Sequence, residues 1–163
     1  YFNIGGYASG SIRHQEMFID ADTYIPVNDK LIPTGEIPSV EGTPMDFRVP
    51  KAIGRDLGED YDALNLQGGY DHNFEVFTAP GAILCDPESG RTMAVITDCP
   101  GVQFYAGNFL EGEIGKDGVA YCYRGGICLE TQFYPDSINH PEWPQPFVKA
   151  GQRYHSETIY RFR

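Results

Sequence analysis

Apolar residues along the chain recur mostly at every second position and in short runs, which is the period of a β-strand. The clearest case is GGICLETQFYPDS, residues 125 to 137. Extended, it sets Ile127, Leu129, Thr131 and Phe133 on one face and Cys128, Glu130 and Gln132 on the other. Residues 16 to 21 alternate in the same way, with Met17, Ile19 and Ala21 opposed to Glu16, Phe18 and Asp20. In PGVQFYAGNF, Val102 and Phe104 face one way and Gln103 and Tyr105 the other. Residues 82 to 86 and 91 to 98 flank DPESGR, a turn signal, and predict a hairpin. The closing QRYHSETIYRFR alternates again.

Between these runs the pattern breaks. From Asn28 to Pro50 the chain is punctuated by Pro33, Pro38, Pro44 and Pro50 with Gly35 and Gly42, so short strands or ordered loop lying over a sheet are expected there. Residues 56 to 65, DLGEDYDALN, hold the one helical turn the pattern supports. It is expected to open at Asp56 as N-cap and to stop at Gly68 and Gly69. SINHPEWPQP is a proline-rich loop carrying the single tryptophan, Trp143, whose ring suits either packing or stacking on a sugar.

Composition narrows the class. A chain of 163 residues suits one domain. Its 19 glycines, 12 prolines and many Tyr and Phe favour strands and turns over helices, so the chain reads as mostly β, an all-β fold class. A formal charge of −11 with only 12 Lys and Arg argues against nucleic acid or an anionic membrane as partner and favours a neutral, polar ligand. No apolar run approaches a membrane span and no signal segment opens the chain, which suggests a soluble, cytoplasmic protein. Cys85, Cys99, Cys122 and Cys128 lack metal-site spacing, and so do the four histidines. Free, mostly buried thiols and no metal or cofactor are expected.

Two carboxylates stand out. Glu130 lies on the polar face of its strand, where a charge must be paired, solvated in a cleft, or used. Asp71 follows a double glycine in GGYDHNFEVF and precedes an apolar run, a loop position at a strand edge that suits either an Asx-type turn or a working group. Gln103 and Glu130 can project from strands of one sheet.

In the runs YFNIGG, IDADTYIPVNDKLIPTGEI, GTPMDFR, GGYDHNF, GVQFYAGNF and CLETQFYPDS, and in the closing Gly-Gln-Arg-Tyr, the sequence resembles the aldose 1-epimerases, the galactose mutarotases. These motifs cover nearly the whole chain in the family's order. The resemblance implies an antiparallel β-sandwich whose concave sheet holds a monosaccharide, galactose or glucose, and interconverts its α and β anomers. It places Glu130 at the general base, and Asp71 and Gln103 at sugar-binding positions. His72 becomes a supporting group rather than an acid.

The family's general-acid histidine sits just ahead of Tyr-Phe-Asn, and a second histidine and an arginine lie further upstream. All three fall outside these residues. The expectation is therefore that residues 1–163 are the C-terminal half of one epimerase domain, with the N-terminal half of the same fold as partner and with no activity alone. The competing readings are a glycoside hydrolase using Asp71 and Glu130, a non-catalytic sugar-binding module, and a hexose phosphate epimerase, for which the chain offers few basic groups.

Overall fold

Each alternating run becomes a strand; the apolar sets of the central strands face inward, while the closing strand leaves Ile159 and Phe162 exposed. The computed structural model describes residues 1–163. Two antiparallel sheets are built from nine strands: β1 Glu16–Ile19, β2 Tyr24–Ile25, β3 Lys51–Ala52, β4 Asp71–Glu75, β5 Ala82–Cys85, β6 Thr92–Thr97, β7 Gly101–Tyr105, β8 Cys128–Gln132 and β9 Thr158–Phe162. One sheet runs β3-β1-β5-β6-β9 and the other β2-β4-β7-β8. The expected hairpin is β5–β6, with Ala82 opposite Val95 and Cys85 opposite Thr92.

The inner faces meet in one core. Met17, Ile19, Leu84, Met93 and Val95 from the first sheet pack in the same cluster as Tyr24, Phe74, Val102, Phe104 and Leu129 from the second. Each such side chain contributes about 1.5–3 kcal/mol on burial. The proline-rich stretch does more than lie over a sheet, because Val40, Met45 and Phe47 enter that core. Phe47 stands edge-on to Tyr70 at 4.9 Å and to Phe104 at 5.5 Å, which pins the loop without any periodic pattern.

The helix is shorter and later than expected. Helix α1 spans Asp62–Gln67, with Tyr61 at the N-cap making no side-chain bond. Asp56 caps nothing. Its carboxylate lies 2.6 Å from the buried Lys51 Nζ and 2.7 Å from Arg55 Nε, and charge pairing outweighs the capping role its sequence position suggests. The C-terminal expectation holds, since Gly68 takes φ 65° and closes the helix in the left-handed region.

Strand β8 pairs with β7 on one side only. Its other edge receives Phe2, which exchanges both backbone hydrogen bonds with Ile127, and the Tyr160 hydroxyl, which donates to the Leu129 carbonyl at 2.7 Å. All four cysteines are free, but only Cys99 is buried and Cys122 is exposed, so the expectation of mostly buried thiols fails. No helix is long and apolar enough to cross a membrane.

Candidate functional site

Register across three strands builds the site. Asn73 on β4 pairs with Gln103 on β7, and Gln103 pairs with Glu130 on β8. Directly paired residues share a face. Asp71, two residues before Asn73, lies on that face too, opposite Tyr105. Asp71, Gln103 and Glu130 therefore stand together on the outer side of the four-stranded sheet, with Asn73, Tyr105 and Cys128 beside them. The opposite face carries His72, Phe74, Phe104 and Leu129 into the core.

Asp71 is not a loop residue but the first residue of β4, because Tyr105 is available to pair with it. Its backbone is held at both ends. The N–H donates to His72 Nδ1 at 3.1 Å, and the carbonyl accepts from Gln67 Nε2 at 2.6 Å, a side chain from the last turn of α1. Its carboxylate accepts from Gln103 Nε2 at 2.8 Å. Burial pushes the Asp71 carboxyl above its ordinary range, and the bond from Gln103 opposes part of that rise.

Glu130 is the counterpart. It is exposed and enters none of the ion pairs of the chain, so it is not a salt-bridged sheet glutamate. His72 cannot serve the face, being 1% exposed on the core side and pushed down by burial to about 4. It meets the site through the Asp71 N–H, which donates to its Nδ1, and at the back wall of the cleft.

A cleft of about 160 Å³ opens over β4 and β7. Asp71, Asn73 and Gln103 line it together with Ile25, Val27, Leu31, Pro33 and Pro135, and Gln67 and His72 reach its back wall. A larger groove of about 610 Å³, bounded by Phe2, Ile4, Tyr7, Leu110, Tyr121 and Phe162, holds none of the three candidates, so the chemistry points to the smaller one. Trp143 belongs to neither, being 5% exposed, stacked on His140 at 4.1 Å and edge-on to Tyr134. It is a packing residue. No three His, Cys, Asp or Glu side chains converge as a metal site would need. Sequence reasoning passed over Asn73, although its spacing of two from Asp71 in a strand was a usable signal, and it passed over the 25–33 wall.

A cleft floored by two amides and a carboxylate, with a second carboxylate exposed beside it, is suited to a ligand rich in hydroxyls. A family model described as aldose 1-epimerase matches residues 1–161. Galactose mutarotase of Homo sapiens is 44% identical over 167 residues, covering 99% of this chain and 47% of that protein. Aldose 1-epimerase of Escherichia coli strain K12 is 39% identical over 170 residues, covering 99% and 48%. Among solved structures, a GalM/aldose epimerase homologue from C. elegans superposes with a TM-score of 0.83 at 25% identity, over 96% of this chain and 47% of that one. Galactose 1-epimerase from Lactobacillus acidophilus NCFM gives 0.75 at 28% identity, over 94% and 45%. The chain thus spans about half the length of the curated relatives it matches.

Proposed function

The chain belongs to the aldose 1-epimerase family, and from that premise we propose that it carries the general-base side of a mutarotation site for aldohexoses such as galactose and glucose. The observation that supports this most is the register that sets Gln103 between Glu130 and the Asp71 side of the cleft. Glu130 takes the proton from the C1 hydroxyl while an acid protonates the ring oxygen. The bond from C1 to the ring oxygen then breaks, the open-chain aldehyde turns about its C1–C2 bond, and the reverse steps close the other anomer. Asp71 and Gln103 hold hydroxyl groups and fix the ring against Glu130.

The acid is assigned to the segment ahead of Tyr1, in a longer chain. The antiparallel bridge of Phe2 to Ile127 sets the direction of any such segment along the outer edge of β8. Continued without a bulge, it brings the residue two positions before Tyr1 opposite Glu130 and onto the same face, at about 5 Å between Cβ atoms. Residues 1–163 are then the C-terminal part of a single sandwich, with the preceding part supplying the acid. Polarimetry on freshly dissolved α-galactose tests the activity at full length. An accelerated approach to the anomeric equilibrium is expected. Release of the phenol from an aryl galactoside would instead support a hydrolase, and sugar binding without turnover a binding module.

A further inference from the structure

On the floor of the cleft the Asn73 carboxamide is 2% exposed, and neither its nitrogen nor its oxygen has a hydrogen-bond partner. The Oε1 of Gln103, directly opposite on β7, is unpartnered as well. Buried polar atoms in folded proteins are paired with very few exceptions, so three unmatched buried atoms on two residues that line one cleft mark a place where something else supplies the partners. The surroundings are shaped to keep the amide there. A Cβ at Gly101 would lie 2.4 Å from Asn73 Oδ1, so only glycine leaves room for it. Tyr134 walls the same spot, its Cδ1 3.1 Å from that point and its hydroxyl donating to Glu75 Oε1 at 2.6 Å.

We propose that Asn73 is a substrate-positioning residue that, with Asp71, binds the hydroxyls on the sugar edge remote from C1. This rests on the epimerase reading of the site. Glu130 on β8 and Asn73 on β4 are two strand spacings apart, roughly 9.6 Å. A pyranose ring with a hydrogen bond of about 2.8 Å at each end fills that gap. With the C1 hydroxyl at Glu130, the C3–C4 edge comes over β4. Asp71 when ionised can only accept, whereas the Asn73 amide both donates and accepts, as a hydroxyl does. Asn73 therefore supplies the donor that Asp71 lacks.

The test is mutarotation by the full-length protein and its Asn73→Ala and Asn73→Leu variants on galactose, 3-deoxygalactose and 4-deoxygalactose. Loss of one or two neutral hydrogen bonds should raise KM for galactose about 3–10-fold with kcat changed far less. The penalty should shrink or vanish on one of the deoxy sugars. Asn73→Leu, of similar size and without unmatched atoms, should melt no lower than the parent in the absence of sugar. An unchanged KM, an equal penalty on all three sugars, or unfolding of both variants makes Asn73 a structural or water-binding residue and overturns the proposal. Asp71→Asn and Glu130→Gln are run alongside. If they impair the enzyme while the Asn73 variants do not, this inference alone fails; if they have no effect, the reading of the site fails with it.

Discussion

Glu130 and Asp71 are both carboxylates on one face, and their surroundings differ. Glu130 is exposed and outside every ion pair, while Asp71 is committed to Gln103 by a 2.8 Å bond. Glu130→Gln keeps the size and cannot take up a proton, so kcat should fall about 10²–10⁴-fold with KM much less affected. Asp71→Asn should raise KM at least as much as it lowers kcat, as loss of a binding contact does. Polarimetric kinetics on both variants check the pair, and near-parental kcat in Glu130→Gln would remove the base assignment. His72 leaves a different signature, in stability. Its folded pKa is pushed down to about 4 from the ordinary 6.5, so as pH falls through that window the unfolded chain binds a proton that the folded chain refuses. Stability conferred by the neutral ring is thus complete above about pH 6.5 and is lost toward pH 4, by on the order of 3 kcal/mol. Urea unfolding across that range should show a shallower acid loss in His72→Gln than in the parent. The difference between the two curves isolates His72 from the paired carboxylates, which also titrate there.

At the scale of the element, what could be read from the sequence was whatever alternation alone determines. The faces of β7 and β8 follow from period two, which is why Gln103 and Glu130 are placed together without knowledge of their pairing. The neighbourhood of Asp71 and Gln103 is a different matter, because it depends on β4 and β7 pairing with Asn73 opposite Gln103, a contact 30 residues apart in the chain. Asp56 misleads for a different reason: its partners Lys51 and Arg55 are near in sequence, and two cations at a buried position outcompete the capping role that the helix pattern suggests. Phe47 is likewise core without periodicity, its partners Tyr70 and Phe104 lying far along the chain. Gly101 shows how a residue can shape a site that it does not line. As the first residue of β7 it looks like an ordinary strand start after Pro100, yet its missing side chain makes the space for Asn73. Gly101→Ala should cost about 1–3 kcal/mol through overpacking against Asn73 and the Tyr134 ring. Sugar affinity should fall in parallel, measured by KM and by thermal melting with and without galactose; an unchanged KM would mean that Asn73 is not part of the grip.

For the whole molecule the decisive feature is the outer edge of β8. An edge strand presents unpaired backbone groups that call for another strand, and here the first rung is already set by Phe2 on Ile127. Counting back along that antiparallel ladder puts the residue two before Tyr1 opposite Glu130, across one strand spacing from the proposed base. Breaking the bond from C1 to the ring oxygen needs a proton delivered to that oxygen in step with the one removed at C1, and a free water molecule is a poor substitute for a positioned acid. Within the chain no histidine can take the part from the core side, since the His72 ring lies opposite the face of Asp71, Gln103 and Glu130 and burial pushes its pKa down to about 4. Residues 1–163 by themselves should therefore bind galactose weakly and show no mutarotation above the solvent rate. Joining the preceding segment covalently, or mixing it in as a separate piece that can pair along β8, should restore turnover. Replacing the residue two before Tyr1 with alanine in the joined protein should abolish the gain while leaving sugar binding largely intact. Polarimetry of the chain alone, of the mixture and of the alanine variant checks each step. Full activity from the isolated chain would place the acid on its own sheet face, and Tyr105, opposite Asp71 and beside Cys128, would be the first residue to substitute.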